Sequence, residues 1–156
     1  GVLPYARLQE VYRTADLAID LFDRTLEREL AFNTRTVDFL RAGVPPRQAL
    51  ASMLRAYLSR EHLAQVELGC PLAALGSETP RQAPEVRRVT TRHIKEMIDL
   101  VARQSPDWGQ PDVHEHALAT VATLVGALVL ARAVDDRRLS DALREAALKH
   151  LSPDRA

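Results

Sequence analysis

The fifteen residues Ala117–Ala131 (ALATVATLVGALVLA) constrain the fold of this chain more than any other segment. They include no charged side chain, and none of the faces they would form on a helix is polar. A helix that is apolar on every face has to be covered on every face. A membrane span needs about 20 apolar residues, and Glu115, His116 and Arg132 lie directly beside this shorter run. We therefore expect a buried helix in a protein without a membrane span.

The residue types in and after this run indicate close packing with other helices. The run contains several small residues, and a helix from Ser140 or Asp136 to Leu151 carries a further small and apolar face. Two adjacent helices with more apolar surface than a small fold can hide suggest a two-fold interface, in which two copies form a four-helix seam. The alternative is that the run is the hydrophobic centre of a monomer. The predicted interface comprises Leu118, Val121, Val125, Leu128, Ala131, Leu143, Ala146, Ala147 and His150.

Apolar residues three and four positions apart predict helices along the rest of the chain. The longest pattern begins at Leu8 and continues to Leu40, with Gly43 and Pro45 as its stop. Most of the shorter patterns begin at a proline, whose missing N–H is not needed in a first turn. They predict helices from Pro46 to about His62–Gln65, at Pro71–Leu75, from Pro84 to about residue 104, and from about Asp112 to Val134. We expect a single all-α domain, residues 1–156, of about five helices and one short turn.

Composition and charge exclude several kinds of partner and location. Lys plus Arg total 21 and Asp plus Glu total 21, so the chain lacks the basic excess with which nucleic-acid binders neutralise phosphates. Residues 1–10 lack the basic and apolar regions of a secretion signal. A single cysteine, Cys70, allows no disulfide within the chain, so we expect a reducing cytoplasm as the compartment.

Neither a catalytic site nor a metal site is predicted. The chain shows no nucleophile–base spacing, no glycine-rich phosphate loop and no convergent pair of carboxylates. His114 and His116 are two residues apart, so they diverge on a helix, unlike the i, i+4 histidines of metal sites. We expect no enzymatic activity, no metal and no cofactor.

Two segments resemble TetR-type transcriptional regulators. One is Leu68–Leu75 (LGCPLAAL), followed by a helix from Pro84, and the other is Gly126–Asp135 (GALVLARAVD), followed by Leu139–Leu143 (LSDAL). The resemblance extends over Leu8–Leu151, with the helices in the same order, and corresponds to the C-terminal half of those regulators. It implies a homodimeric, helical effector-binding domain whose last two long helices form an intermolecular four-helix bundle.

The resemblance also implies a mode of control. In such regulators a small, mostly apolar molecule binds among the helices and shifts the first of them, which carries a DNA-binding headpiece, and the operator is released. The helix-turn-helix headpiece has no counterpart ahead of the helix that begins at Leu8. We therefore expect operator DNA to be bound only through a headpiece outside this chain.

The implied pocket lies between the long first helix and the three helices that follow it. Inward positions with large, adaptable or polar side chains are predicted to bind the ligand: Phe22, Leu26, Asn33, Met53, Tyr57, His93, Met97 and Val101. Each of them has an ordinary packing role as its alternative. For Asn33, Tyr57 and His93 that alternative is a polar group whose hydrogen bonds are made by neighbouring helices.

Three further residues and the function itself keep open interpretations. Cys70 precedes Pro71 and is predicted to be the N-cap of a short helix, where the helix dipole favours a redox-active thiol; a small buried side chain is the alternative. Trp108 is expected to pack over the end of the bundle, and His62 to lie at a solvated helix end. The alternative to an effector-binding domain is a helical dimerisation module that holds partner proteins and has no small-molecule pocket.

Overall fold

The described chain is all-α, as the sequence predicts. The computed structural model describes residues 46–66, 69–105 and 107–152, and within them the only other regular element is one 3₁₀ turn. The elements are α1 (Pro46–Tyr57), α2 (Arg60–Ala64), α3 (Pro71–Leu75), the 3₁₀ turn (Thr79–Arg81), α4 (Pro84–Ala102), α5 (Pro111–Ala133) and α6 (Arg137–Leu151). The predicted helix from Leu8 to Leu40 lies outside the described residues.

Proline and aspartate mark the starts of the helices. Pro71, Pro84 and Pro111 each occupy a first-turn position, where a fixed φ favours the helix and no N–H is needed. Asp136 is the N-cap of α6, because its carboxylate accepts hydrogen bonds from the backbone N–H groups of Arg138 at 2.8 Å and Leu139 at 3.3 Å. This settles the choice of cap that the sequence left open.

The single helix predicted from Pro46 to about His62–Gln65 is two helices. The α-helical pattern of α1 ends at Tyr57, and α2 begins at Arg60. Ser59 separates them, since its hydroxyl accepts the backbone N–H of His62 at 3.1 Å and so caps a new helix. A serine side chain that bonds the backbone in this way competes with continuation of the preceding helix.

Helix α5 is the centre of the described bundle. It packs mainly against α4 and α6 and also touches α2 and α3, while α1 reaches α6. Leu58, Leu124 and Leu128 are fully buried, and full burial of such a side chain contributes about 1.5–3 kcal/mol. The turn into α6 is closed by the Ser140 hydroxyl, which donates to the Ala131 carbonyl at 2.8 Å.

Within one chain, α5 is buried on one side only. Its inner side carries the buried residues Ala117, Thr120, Val121, Leu124, Ala127, Leu128 and Ala131. Its outer side leaves Leu118, Val129 and Leu130 exposed. With 23 residues, α5 is longer than the apolar run, and by length and composition alone it passes as a membrane span, although 39% of its most apolar window is buried inside the fold. A soluble form of this chain therefore has to cover the outer side of α5 in another way.

Candidate functional site

Four of the predicted ligand-binding residues come together in the core. Met53 and Tyr57 lie one turn apart on α1, and Met97 and Val101 lie one turn apart on α4. All four belong to one cluster of buried residues, which also has members on α3, α5 and α6 and is called the buried cluster below. The i, i+4 spacing places each pair on one face of its helix. Of the other predicted ligand-binding residues, only His93 has a described position. Phe22, Leu26 and Asn33 lie outside the described residues.

His93 lies on the same helix as Met97 and Val101. It is half-buried one turn before Met97 on α4. Burial lowers the pKa of its imidazole, and the Glu96 carboxylate opposes that shift. The neutral ring is therefore favoured, and it is a better neighbour for an apolar ligand than a cation is.

Two buried polar side chains that sequence reasoning missed extend the same surfaces. Gln104 is 3% exposed and Thr120 is 2% exposed. Gln104 follows Val101 by three positions, so it continues the stripe of Met97 and Val101, and that spacing was the signal available in the sequence. Thr120 lies on the inner side of α5 beside Val121. Polar atoms are thus present in an otherwise apolar interior.

His62 is half-buried and contacts two backbone groups, so the expectation that it lies at a solvated helix end is wrong. Its Nδ1 lies 2.6 Å from the Tyr57 carbonyl oxygen, and its Nε2 lies 3.2 Å from the backbone nitrogen of Cys70. Because the Cys70 N–H can only donate, Nε2 accepts, and the proton of the neutral ring is on Nδ1. Burial lowers the pKa of His62, the Tyr57 carbonyl raises it, and the nearby Arg132 cation lowers it further.

Arg132 of α5 holds the C-terminal end of α2. Its Nη2 donates to the His62 carbonyl at 2.7 Å, and its Nε donates to the Leu63 carbonyl at 3.2 Å. The last carbonyls of a helix have no partner inside the helix, so a guanidinium is well suited to them by both hydrogen bonding and charge. Helix α2 is therefore hydrogen-bonded to the C-terminal part of α5 through the Arg132 side chain.

Arg144 of α6 holds the junction between α1 and α2. It is 7% exposed; its Nη1 donates to the Leu58 carbonyl and its Nη2 pairs with Asp141. Asp141 also accepts Arg60 Nη2 at 2.6 Å. Hydrogen bonds from Arg60 and Arg144 lower the pKa of this carboxyl. The end of α1 is thus connected to α6 through Arg144, and α2 is connected to α5 through Arg132.

An open groove lies between α2 and the turn from α5 to α6. Its volume is about 430 Å³, and its charged lining includes Arg60, Arg132, Arg137, Asp135 and Asp141. Of the predicted ligand-binding residues that the structure describes, none lines this groove. It is therefore separate from the buried cluster in which four of those residues meet.

The predicted subunit interface divides into exposed and buried positions. Leu118, Ala146 and His150 are exposed, and Val125 and Leu143 are half-buried. The other four predicted positions are buried within the single chain: Val121, Leu128, Ala131 and Ala147. They pack in the subunit's own interior, so we leave them out of the interface that we propose below. The helical phase differs from the predicted one because α5 is apolar on every side and α6 turns Arg144 inward.

Exposed and half-buried residues, all apolar except His150, form one stripe on each helix. On α5 the stripe follows helical spacing: Leu118, Ala122, Val125, Val129, Leu130 and Ala133. On α6 it also follows helical spacing: Leu139, Ala142, Leu143, Ala146 and His150. Together these residues are called the outer stripes. Apolar side chains on one face of each of two adjacent helices are what a helix-packed interface requires.

Cys70 and Trp108 are placed as follows. Cys70 is the N-cap of α3, as predicted, and its side chain is buried and makes no capping hydrogen bond. Its redox activity stays a prediction.

Trp108 is largely exposed, with the Arg103 guanidinium 5.6 Å from its ring centroid, so the expectation that it packs over the bundle is wrong. His114 and His116 are exposed, and among the described residues no three His, Cys, Asp or Glu side chains are grouped to hold a metal ion.

Comparison with known proteins gives one family match. The model of the family described as "Transcriptional regulator LmrA/YxaF-like, C-terminal domain" matches residues 46–147. A search of curated proteins found no match. The matched range runs from the first residue of α1 into α6, so it includes the buried cluster except Leu151, both arginine connections and most of the outer stripes.

Proposed function

Because the chain belongs to the LmrA/YxaF-like family of TetR-type regulator C-terminal domains, we propose that it is the effector-binding and dimerisation domain of a cytoplasmic transcriptional regulator. It binds a small, mostly apolar molecule and pairs with a second copy of itself. Binding of that molecule controls operator binding by a DNA-binding headpiece of the whole regulator. The observation that carries the proposal is the pair of exposed outer stripes on α5 and α6 in a chain of this family.

Dimerisation is supported by the size of the exposed side chains. Leu130 is 54% exposed, and Leu118, Val129 and Leu139 are also exposed. Covering a half-exposed leucine contributes about 1 kcal/mol, roughly half the value for full burial. A two-fold axis doubles every such contribution, because each residue is present on both subunits.

Effector binding is supported by the residues of the buried cluster that lie on α1 and α4. Small-molecule sites are mostly apolar with a few polar groups, and methionine side chains adapt to ligands of irregular shape. Met53 and Met97 supply this adaptability from two different helices, with Tyr57 and Val101 one turn away from them. A ligand that separates the two helices would move α1.

Control of DNA binding is supported by the arginine connections. Movement of α1 displaces the Leu58 carbonyl and therefore pulls on Arg144, while movement of α2 pulls on Arg132. Both arginines belong to the helices that carry the outer stripes. The effector thereby shifts the population between two dimer geometries, which is the physical content of allosteric control.

The dimer is tested by measuring molar mass in solution. Light scattering behind a sizing column gives the mass of wild type, of Leu130→Glu and of the control Ile94→Glu, which changes an exposed residue of α4 outside the outer stripes. We expect wild type and Ile94→Glu to be dimers and Leu130→Glu to be a monomer, since two carboxylates would be buried at the interface. A monomeric wild type, or a dimeric Leu130→Glu, overturns the proposed interface.

Effector binding is tested by a thermal-shift screen of small apolar compounds. A ligand present at 100 times its Kd stabilises the fold by about 2.7 kcal/mol, which raises Tm by about 5–10 °C in a chain of this size. If the dimer forms and no compound raises Tm, the dimerisation module without a pocket is the better description.

A further inference from the structure

Apart from one nitrogen in each of the Arg132 and Arg144 guanidiniums, two polar atoms in the described interior have no hydrogen-bond partner. They are the hydroxyl oxygen of Thr120 and Oε1 of Gln104, on side chains that are 2% and 3% exposed. Within the described part of the chain no protein group faces either atom at hydrogen-bonding distance. Burial without a partner is costly, so each such atom in a native fold requires an explanation.

Thr120 differs from the other threonines on long helices whose bonds are known. Thr90 and Thr91 on α4 donate their hydroxyl protons to the carbonyls four residues earlier, at 3.0 and 2.8 Å. That local bond is the usual way for a helical threonine to satisfy its donor. The Thr120 hydroxyl does not make it, although the same carbonyl position exists on α5, so the donor remains available to a bound molecule.

Gln104 presents an acceptor in the same interior. Its Nε2 donates to the Leu100 carbonyl at 3.1 Å. This bond fixes the orientation of the amide, because a carbonyl accepts only from the nitrogen end, and so Oε1 points away from the helix backbone. Thr120 therefore offers a proton and Gln104 offers a lone pair.

Both residues are close to members of the buried cluster. Gln104 lies two residues beyond the end of α4, and its backbone N–H donates to the carbonyl of Val101, a member of the cluster. Thr120 lies between Ala117 and Leu124 on α5, which are members of the same cluster. Because α4 and α5 pack against each other, the two polar atoms enter the interior that the proposed effector occupies.

We propose that Thr120 and Gln104 are the polar contacts of the effector, and that the effector is an uncharged, mostly apolar molecule with one hydrogen-bond acceptor and one donor. The Thr120 hydroxyl donates to the ligand's acceptor, and Gln104 Oε1 accepts from its N–H or O–H group. This inference rests on the proposed effector-binding function.

The surroundings require a neutral ligand. No member of the buried cluster is charged, and the Tyr57 hydroxyl and Cys70 thiol are its only polar side-chain groups. The charge of the buried Arg144 guanidinium is already balanced by the Asp141 carboxylate. A ligand ion among these side chains would lose its hydration without gaining a counter-ion, which is strongly unfavourable.

The first test measures the thermal stability of the ligand-free protein at fixed concentration. Thr120→Val removes the unpaired hydroxyl and keeps the shape, so we expect Tm to rise by about 2–4 °C. Thr90→Val is the matched control, because Thr90 is also buried but its hydroxyl bond is made; its Tm should not rise. A Thr120→Val protein that is less stable than wild type shows that water or protein already pairs this hydroxyl, and the inference fails.

The second test compares three probes that share one alkyl chain. Octanamide has a donor and an acceptor, N,N-dimethyloctanamide has only the acceptor, and octanoate carries a charge. By isothermal titration we expect octanamide to bind wild type about tenfold more tightly than the dimethyl amide, and octanoate to bind most weakly. Thr120→Val should weaken both amides about tenfold, and Gln104→Met should abolish the preference for octanamide.

The outcomes separate this inference from the function on which it rests. If octanoate binds as well as octanamide, or if Thr120→Val and Thr90→Val bind the amides equally well, the assignment of these contacts is wrong while effector binding stands. If wild type binds none of the probes, the assigned ligand chemistry is wrong; if the apolar screen described above also gives no ligand, effector binding fails with it.

Discussion

Replacing Arg144 by methionine tests whether the arginine connections stabilise the fold. Methionine keeps the unbranched apolar stem but removes the guanidinium, so the Leu58 carbonyl loses its buried donor. Hydrogen bonds that involve a charged group contribute about 1.5–3 kcal/mol. Asp141 retains Arg60 as its partner, and removing Arg144 also removes its unpaired Nε. We therefore expect a loss of about 2 kcal/mol in the free energy of unfolding.

Urea unfolding at one fixed protein concentration measures this loss. For a slope of about 2 kcal/mol/M, the midpoint of Arg144→Met should fall by about 1 M. Arg60→Gln is the matched control, because Arg60 shares Asp141 but its side chain is 59% exposed; exposed ion pairs contribute little, and no measurable shift is expected. An Arg144→Met midpoint equal to that of wild type, or an equal fall for Arg60→Gln, would refute the role assigned to the buried guanidinium.

Two further predictions concern the junction around His62. The folded state lowers the pKa of His62 below its ordinary value of 6.5, so the unfolded state takes up a proton first as the pH falls. The contribution of His62 to stability is therefore complete above about pH 7 and is lost as the pH decreases below the unfolded pKa. In urea titrations His62→Gln should lose less stability than wild type between pH 7 and pH 5, and an unchanged pH dependence would contradict the neutral ring. A Cβ added at Gly69 would lie 2.7 Å from Arg132 Nη2 and 2.6 Å from the Gln65 carbonyl oxygen, so Gly69→Ala should lower the free energy of unfolding by about 1–3 kcal/mol, whereas unaltered calorimetric stability would show that the loop shifts freely.

Sequence reasoning succeeded where one residue type determines local geometry. Proline at a first turn fixes φ and needs no donor, so the starts of α3 and α4 follow from Pro71 and Pro84 alone. The break at Ser59 was missed because serine is tolerated inside helices, and only the bond to His62 N reveals it as a cap. The periodicity of apolar residues was sufficient for the all-α class and for the inward positions of Met53, Tyr57, Met97 and Val101, whereas Val121, Leu128 and Ala147 were assigned to the subunit interface and are buried in the core.

The remaining features depend on groups that are distant in the chain. His62 bonds the carbonyl of Tyr57 and the N–H of Cys70, and neither of these backbone groups has a sequence signature. Arg132 and Arg144 reach carbonyls 69 to 86 positions away, which residue identity does not predict. The phase of α5 could not be read from its sequence either, because an apolar helix gives no polar face to orient it.

The orientation of α5 gives a physical reason for linking effector binding to dimer geometry. Thr120 and Leu124 lie on its inner side, and Leu130 lies on its outer side. An α-helix has no soft internal hinge unless a kink residue supplies one, so a displacement at the inner side is carried to the outer side by the same rigid element. A ligand that contacts Thr120 on the inner side would therefore move the outer stripe of α5 and, through Arg132, the C-terminal end of α2. Coupling through such a packed element is reciprocal: the factor by which effector binding changes the dimer affinity equals the factor by which dimerisation changes the effector affinity.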